Sequence, residues 1–354
     1  MALEVDIEKR AGSFHLRAAF SCGEETLGIL GPSGCGKSMT LKCIAGIERP
    51  DRGRILLNGR TLFDSEKKID LPPRKRQVGY LFQNYALFPG MTVRQNILCG
   101  LHAEKDAKKK TEKADAVMDL LRIRDIASLR PGALSGGQAQ RTALGRILVN
   151  EPELLMLDEP FAALDTHLRL KLQMELKTIL SGYGRGIIMV THDRDEAFRM
   201  CGRLGVMDGG EMLAVKETKQ LFADPGTRAA AVLTGCKNIE PAMKTGDREV
   251  FVPGWNVHLT TEKPVRDGLQ AVGIRAHHFY PDETANRFPV RVLQEMEEPF
   301  EWVSEFRYEG QAPDCPAVWW RYAKELRPAQ PPAALGVRPS DILLLYQPAD
   351  PCRA

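Results

Sequence analysis

Long apolar runs are missing from this sequence, and so are the cysteine patterns of secreted or zinc-binding proteins. No run approaches the ~20 apolar residues that a helix needs to cross a bilayer, and the first twelve residues have no apolar core of a signal peptide. The eight cysteines are scattered, without a C-x-x-C pair or a Cys/His cluster at zinc spacing. We therefore expect reduced thiols and a cytoplasmic chain whose membrane role is exercised through partners.

The sequence also lacks a strong excess of charge of either sign. A net charge of +3 over 354 residues gives no reason to expect an acidic substrate, and we predict no nucleic-acid partner. The locally basic stretch KDAKKKTEK, from Lys105 to Lys113, is typical of the solvated face of a helix. The length favours two domains, and the hydrophobic content of 43% allows a normal core without disulfides or metal.

Strand and helix patterns alternate over the first two thirds of the chain. The short apolar runs LLMLDE and GIIMVTH predict buried strands, and LGVMDGGEMLAV predicts a hairpin with Gly-Gly at its turn. This alternation predicts an α/β domain over residues 1–230 with a mostly parallel sheet. Within it, residues 85–150 are expected to be mainly helical.

The character of the chain changes after the DPG segment at residues 224–226. The following stretch is richer in Pro and Trp and contains short strand-like runs: EVFVPG, VHLTT, AVGIRA, PVRVLQEM, VWWRYA and DILLLYQ. These runs predict a smaller, all-β second domain over residues 236–354.

GPSGCGKS, from Gly31 to Ser38, matches the P-loop pattern G-x-x-x-x-G-K-[ST] between a predicted strand and a predicted helix. Its glycines allow backbone N–H groups to surround phosphates at a helix N-terminus. Lys37 would reach the β- and γ-phosphates of ATP, and Ser38 would ligate Mg²⁺. We interpret Cys35 as a small residue at a variable position and not as a redox switch. The predicted nucleotide-binding residues here are Gly31, Pro32, Ser33, Gly34, Cys35, Gly36, Lys37, Ser38 and Met39.

An acidic pair follows the predicted strand LLML. Asp158 and Glu159 emerge at the carboxyl end of that strand, which is where open α/β sheets place ligand chemistry. Asp158 suits Mg²⁺, directly or through water. Glu159 is predicted to polarise the water that attacks the γ-phosphate.

LSGGQ, from Leu134 to Gln138, is a second candidate anion-binding device. Ser135, Gly136 and Gly137 at a helix start offer a hydroxyl, free N–H groups and a helix dipole. One chain does not need two phosphate cradles for one nucleotide. This cradle makes sense if it closes on the γ-phosphate that another chain holds.

With these motifs the sequence resembles the ABC ATPase family, whose signature is LSGGQ. The resemblance implies a P-loop NTPase domain with an inserted helical subdomain, followed by a smaller all-β, TOBE-like domain. It extends nucleotide binding to Gln138 and to Gln83, the Q-loop glutamine that ligates Mg²⁺ and senses the membrane partner. It identifies Asp165 with the D-loop, where Ala163 replaces a commoner Ser, and His192 with the switch histidine at the γ-phosphate.

The implied active site has catalytic residues Glu159, His192 and Lys37, with Mg²⁺ ligands Ser38, Gln83 and Asp158. The family's adenine stacks on an aromatic ring before the P-loop. Phe14 is our candidate for that ring, and Phe20 competes with it.

The resemblance covers roughly residues 1–230 and implies a head-to-tail homodimer with two ATP molecules between P-loop and signature. Closure of this dimer on ATP would move the transmembrane permease subunits bound to it. The resemblance therefore implies a peripheral protein at the cytoplasmic face of the membrane. An extracytoplasmic solute-binding protein would be an indirect partner. LFPGMTVRQNI is similar to the start of the family's helical subdomain, which binds a coupling helix of the membrane subunit. The alternative is that Phe88 and Met91 are core residues.

A separate ATPase chain with a C-terminal β domain resembles the importer branch of the family. LTGCKNIEPA, from Leu233 to Ala242, and VGIRAHHF, from Val272 to Phe279, are similar to the molybdate importer subunits and to related sulfate ones. We therefore expect an oxyanion cargo, with molybdate first. An importer for sulfate or another solute is the alternative.

The C-terminal domain is expected to be regulatory or to stabilise a dimer. Arg275, His277 and His278 end a predicted strand and either face an oxyanion or are surface residues of the β domain. The tail beyond Pro281 departs from the pattern of an oxyanion-binding domain. We therefore do not expect it to bind cargo.

Three other classes of protein compete with a transporter subunit. Soluble ABC ATPases of DNA repair or translation carry coiled-coil insertions or tandem cassettes, whereas this chain has one cassette and no heptad insertion. A nucleotide kinase would not need LSGGQ. A non-catalytic regulator would not need Lys37, Asp158, Glu159 and His192 together.

Overall fold

The computed structural model describes residues 3–162 and 166–347, and the chain divides into two compact units, Met1–Thr218 and Lys219–Ala354. The division lies earlier than residue 230, where the sequence analysis ends the first domain. The reason is that the segment after Thr218 pairs within the second unit: Thr227 bridges to Tyr346, whose backbone N–H donates to the Gly226 carbonyl.

In the described part of the first unit, eleven strands form one sheet. They are β1 (Leu3–Ala11), β2 (Phe14–Cys22), β3 (Thr26–Leu30), β4 (Arg52–Leu57), β5 (Arg60–Asp64), β6 (Ile69–Asp70), β7 (Val78–Leu81), β8 (Leu154–Asp158), β9 (Gly186–Thr191), β10 (Arg203–Asp208) and β11 (Glu211–Glu217). Their order across the sheet is β6-β5-β4-β1-β2-β11-β10-β3-β9-β8-β7.

This sheet is mixed, so the prediction of a mostly parallel sheet is wrong. Strands β3, β7, β8, β9 and β10 pair in parallel. Of these, β8 and β9 carry the short apolar runs predicted to be buried strands, and β10 is the first strand of the predicted hairpin. Strands β1, β2, β4, β5 and β6 pair antiparallel, because short turns such as Asn58-Gly59 join several of them where a parallel pair needs a helical crossover. Strand β2 was missed, although it alternates buried and exposed residues over most of its length.

The helices of the first unit are α1 (Lys37–Ala45), α2 (Pro73–Arg76), α3 (Val93–Leu98), α4 (Ala107–Leu120), α5 (Gly136–Leu148), α6 (Thr166–Ser181) and α7 (Arg194–Met200). Helix α1 packs on β7, β8 and β9, while α3, α4 and α5 pack on one another in the stretch expected to be helical. The basic segment Lys105–Lys113 leads into α4 and is mostly exposed, as predicted.

The second unit is almost entirely β structure, as the sequence predicts. Its helices are α8 (Thr218–Ala223), which begins at the boundary, and α9 (Arg228–Leu233). Its strands are β12 (Asn238–Pro241), β13 (Met243–Lys244), β14 (Glu249–Val252), β15 (Val257–Thr260), β16 (Leu269–Ile274), β17 (Phe288–Glu297), β18 (Glu301–Tyr308), β19 (Val318–Ala323), β20 (Ala334–Leu335) and β21 (Ile342–Tyr346). They form the sheets β12-β16-β21, β13-β14-β15 and β19-β18-β17-β20.

Each unit has its own hydrophobic core. The core of the first lies between the sheet and α1 and includes Leu27, Ile29 and Met156, whereas the core of the second includes Trp255, Phe306 and Trp320. Within residues 3–162 and 166–347, no helix is both long enough and apolar enough to cross a bilayer.

Candidate functional site

The P-loop connects β3 to α1. Gly34 and Gly36 have positive φ angles of 81° and 107°, a backbone conformation that other residues adopt only with strain. A Cβ atom at Gly36 would also lie 2.8 Å from the Leu16 side chain. Pro32, Ser33 and Gly34 are exposed, so the outer rim of the loop is open to a ligand.

Lys37 is only 4% exposed and folds back onto the loop. Its Nζ donates hydrogen bonds to the carbonyls of Gly31 (2.8 Å) and Pro32 (2.9 Å). The Cys35 thiol lies 4.0 Å from the same Nζ, and burial raises the pKa of this thiol. Cys35 is therefore a protonated, buried thiol, in agreement with its interpretation as a small packing residue.

Both carboxylate oxygens of Asp158 accept hydrogen bonds. The Ser38 hydroxyl donates to Oδ1 at 2.7 Å, and the Tyr80 hydroxyl donates to Oδ2 at 2.7 Å. Burial, together with the Asp158 carboxylate, raises the pKa of Tyr80, so that its hydroxyl stays protonated. Tyr80 was not among the residues predicted from the sequence, although it lies in the short apolar run VGYL immediately before the Q-loop.

Glu159 lies between Gln83 and His192. Its Oε2 accepts a 3.4 Å hydrogen bond from Gln83 Nε2, and its Oε1 is 3.1 Å from His192 Nδ1. The backbone of Glu159 has φ +45° and donates to the Val190 carbonyl at 3.0 Å. Left-handed backbone at a residue other than glycine costs about 1 kcal/mol or more and concentrates at functional sites.

A cavity of about 600 Å³ opens along the P-loop. Phe14 lines it, whereas Phe20 is 9% exposed and belongs to the core, so Phe14 is the better placed of the two adenine candidates. Lys42 and Glu48 also line it and were missed; Lys42 is four residues after Ser38 on α1 and therefore on the same helix face. The lining residues are Phe14, Ser33, Gly34, Gly36, Lys37, Ser38, Met39, Lys42, Glu48, Gln83 and Glu159.

The LSGGQ segment forms the start of α5. Ser135 is the N-cap and makes a capping box with Gln138: the Ser135 hydroxyl accepts from the Gln138 backbone, and the Gln138 side chain accepts from the Ser135 backbone. Ser135 and Gly136 are exposed and Gly137 is buried, and none of the described residues of this segment lines the P-loop cavity. The D-loop residues Ala163 and Asp165 lie outside the described residues.

The P-loop cavity fits a magnesium nucleotide. In the described ranges no cluster of three or more His, Cys, Asp or Glu side chains is built for a metal ion by itself. Mg²⁺ in phosphate sites is typically held by one or two carboxylates together with phosphate oxygens and water. The Ser38 hydroxyl and the Asp158 carboxylate match that requirement, with Gln83 lining the same cavity.

The strand end in the second unit has a different arrangement. The guanidinium of Arg275 donates to the carbonyls of Thr234 and Phe222, both at 2.6 Å. His278 Nδ1 is 3.6 Å from an Asp341 carboxylate oxygen, and burial lowers the pKa of His278. Because backbone carbonyls engage Arg275 and a carboxylate faces His278, the geometry does not favour an oxyanion there. His277 is exposed.

The family model described as ABC transporter matches residues 17–162. The spermidine/putrescine import ATP-binding protein PotA of Bacillus cereus is 38% identical over 288 residues, which cover 78% of this chain and 85% of that protein. The molybdenum import ATP-binding protein ModC of Paramagnetospirillum magneticum is 39% identical over 226 residues, covering 64% of this chain and 62% of that protein. The chain therefore belongs to the ATP-binding proteins of ABC transporters.

Solved structures agree with this family. The protein cbiO1 from Clostridium perfringens, described as part of the transporter complex cbiONQ, matches with a TM-score of 0.56 and 28% identity over 63% of this chain and 91% of its own. The dimeric bacterial ABC transporter cassette MJ0796 matches with a TM-score of 0.52 and 25% identity over 62% of this chain and 99% of its own. These matches confirm the P-loop α/β fold of the first unit.

Proposed function

We propose that this chain is the ATP-hydrolysing subunit of an ABC importer and that hydrolysis occurs at the P-loop cavity. The observation that carries the proposal is the convergence of Ser38 and Asp158 with Glu159 and His192 beside one open phosphate loop. The left-handed backbone of Glu159, which lines the same cavity, adds to this observation, because strained backbone concentrates at functional sites.

Each group has a distinct task in this proposal. The backbone N–H groups of the P-loop bind the β- and γ-phosphates, and Lys37 leaves its two carbonyl partners to bind the same phosphates. Mg²⁺, held by Ser38, Asp158 and Gln83, neutralises phosphate charge when it is bound. Glu159 accepts a proton from the attacking water, and His192 orients Glu159 and the γ-phosphate.

A second copy of the chain completes each site in this proposal. Ser135 and the exposed N-terminus of α5 are built to bind an anion, yet they do not line the described cavity of their own chain. A head-to-tail dimer places this cradle on the nucleotide of the partner. The dimeric cassette MJ0796 supports this arrangement.

The surface that receives a membrane subunit is proposed at Phe88 and Met91. These side chains are 47% and 36% exposed, which argues against their assignment as core residues. The buried Asn96 braces their loop through hydrogen bonds to Phe88 and Met91, and the Arg146 guanidinium lies 5.2 Å from the centre of the Phe88 ring. A firmly held apolar loop suits the docking of transmembrane permease subunits at the cytoplasmic face of the membrane.

The cargo is proposed to be an oxyanion, with molybdate first. The resemblance of residues 233–242 and 272–279 to molybdate importers and the relative ModC support molybdate. The longer match to PotA supports a polyamine as the second candidate. In either case an extracytoplasmic solute-binding protein would select the cargo, and the C-terminal unit would have a regulatory or dimer-stabilising role.

Uptake measurements test both the proposed cargo and the proposed ATP-driven role of the chain. Cells that lack this chain should lose uptake of labelled molybdate at low external concentration and regain it with the wild-type chain but not with Lys37→Ala. If spermidine uptake is lost and molybdate uptake is normal, the cargo changes to a polyamine. If the Lys37→Ala chain restores uptake fully, the ATP-driven role is wrong.

A further inference from the structure

Tyr80 contacts Asp158 but belongs to none of the sequence motifs that define the proposed nucleotide site. Strand β7 runs parallel to β8, with Tyr80 opposite Met156 and Leu81 opposite Leu157. Because alternate residues of a strand face the same side, Tyr80, Met156 and Asp158 all face one side of the sheet. Helix α1, which carries Ser38, packs on these strands.

This diagonal neighbourhood explains the 2.7 Å hydrogen bond from the Tyr80 hydroxyl to Asp158 Oδ2. The Tyr80 ring is itself held by Phe82, with ring centroids 4.4 Å apart. A carboxylate with one oxygen fixed in this way cannot rotate freely about its last bond. Its other oxygen, Oδ1, is thereby presented to Ser38 at 2.7 Å.

We propose that Tyr80 is a positioning residue for Mg²⁺: its hydroxyl fixes the Asp158 carboxylate so that Oδ1 and the Ser38 hydroxyl face the metal position together. The inference rests on the proposed nucleotide site and deepens it. Hydrogen-bond partners behind a metal-binding carboxylate commonly change metal affinity, because they orient the ligand before the metal arrives. A free Asp158 side chain would have to be ordered at the moment of binding.

The test is the Tyr80→Phe variant of the full chain, which removes one oxygen and keeps the ring. Affinity for a fluorescent ATP analogue is measured with EDTA and again with Mg²⁺, and the ratio of the two affinities reports the contribution of the metal. We expect the Mg²⁺ contribution to fall about tenfold in the variant, with unchanged affinity in EDTA. Tyr183→Phe is the matched control, because the Tyr183 hydroxyl of the same unit donates to the Pro152 carbonyl and not to a carboxylate.

A second arm separates positioning from packing. In an Asp158→Ala background the Tyr80→Phe change should have no further effect on the Mg²⁺ contribution, because the oxygen that Tyr80 holds is gone. An unchanged ratio would overturn the inference: with equal losses in EDTA and in Mg²⁺ Tyr80 would be a packing residue only, and with no loss in either it would have no role in binding. If the wild-type chain binds no ATP, the proposed function itself fails, which is a different result.

Discussion

Charged side chains follow a buried strand in both units of the chain, but their surroundings differ. At the end of β8, Asp158 and Glu159 meet hydroxyl, amide and imidazole groups beside a cavity. At the end of β16, the Arg275 guanidinium is engaged by two backbone carbonyls, and His278 faces a carboxylate. The first arrangement leaves polar atoms for a ligand, and the second joins segments of the unit to one another.

The comparison teaches that residue type and position at a strand end do not by themselves indicate a binding site. The hydrogen-bond partners of each polar atom determine whether that atom is available to a ligand. At the end of β16 in the second unit, the polar atoms stabilise the fold. At the end of β8 in the first unit, Glu159 has a left-handed backbone conformation, which costs free energy. Activity should therefore respond to changes at the end of β8 in the first unit, and stability should respond to changes at the end of β16 in the second unit.

The largest effect is expected for Glu159→Gln. Turnover should fall by about 10²–10⁴-fold, because the group that accepts the proton of the attacking water is removed. Binding of ATP should survive, since the P-loop is unchanged. Phosphate release and nucleotide binding, measured on the same preparation, check this. Hydrolysis near the wild-type rate would contradict the assignment of Glu159.

Arg275→Ala should lower stability and leave the nucleotide site unchanged. The carbonyls of Thr234 and Phe222 lose a charged donor, so the free energy of unfolding of the second unit should fall by about 3 kcal/mol. Affinity for ATP should not change. Thermal unfolding and nucleotide binding measure the two effects, and Arg228→Ala, at an exposed arginine, is the control. A large loss of ATP affinity without a change in stability would break the comparison.

A smaller effect is expected at Glu196 of α7, a carboxyl that is 4% exposed. Burial raises the pKa of Glu196 from 4.5 to about 7. Between these two pH values the folded chain binds more protons than the unfolded chain, so this residue lowers stability as pH rises. Above about pH 7 the loss is complete, and below about pH 4.5 it is absent.

Glu196→Gln removes this titration while keeping an oxygen that can accept from the Thr191 hydroxyl. The variant should therefore gain stability relative to wild type by about 2 kcal/mol from pH 5 to pH 8. Urea unfolding at both pH values checks the gain, with the exposed Glu112→Gln as the control. A difference between variant and wild type that is independent of pH would contradict the buried-charge explanation.

Much of the fold was predictable because its signals are local. The buried parallel strands β8 and β9 are continuous apolar runs, and the β10–β11 hairpin has Gly209 and Gly210 at its turn. Strands β2 and β18 were missed, although β2 alternates buried and exposed residues over most of its length. The antiparallel part of the sheet was missed although the Asn58-Gly59 turn between β4 and β5 is a local signal, whereas the pairing of β1 with β4 depends on distant contacts that residue patterns do not contain.

The candidate site was predictable to the extent that its residues lie in contiguous motifs. The P-loop, the acidic pair and the helix start at Ser135 are found where the sequence places them. Tyr80 was not predictable, because its bond to Asp158 depends on the register of two strands far apart in the chain. Lys42 and Glu48 join the cavity through the path of α1 and the loop after it, which a motif does not specify.

The most direct test of the account is phosphate release by a mixture of two full-length variants, Lys37→Ala and Ser135→Arg. Each variant alone should be nearly inactive. In a head-to-tail dimer, a mixed pair combines the intact P-loop of one chain with the intact signature of the other. Random mixing should therefore restore about a quarter of wild-type activity, because half of the dimers are mixed and each has one intact site. If the mixture stays as inactive as its components, sites shared between chains are contradicted.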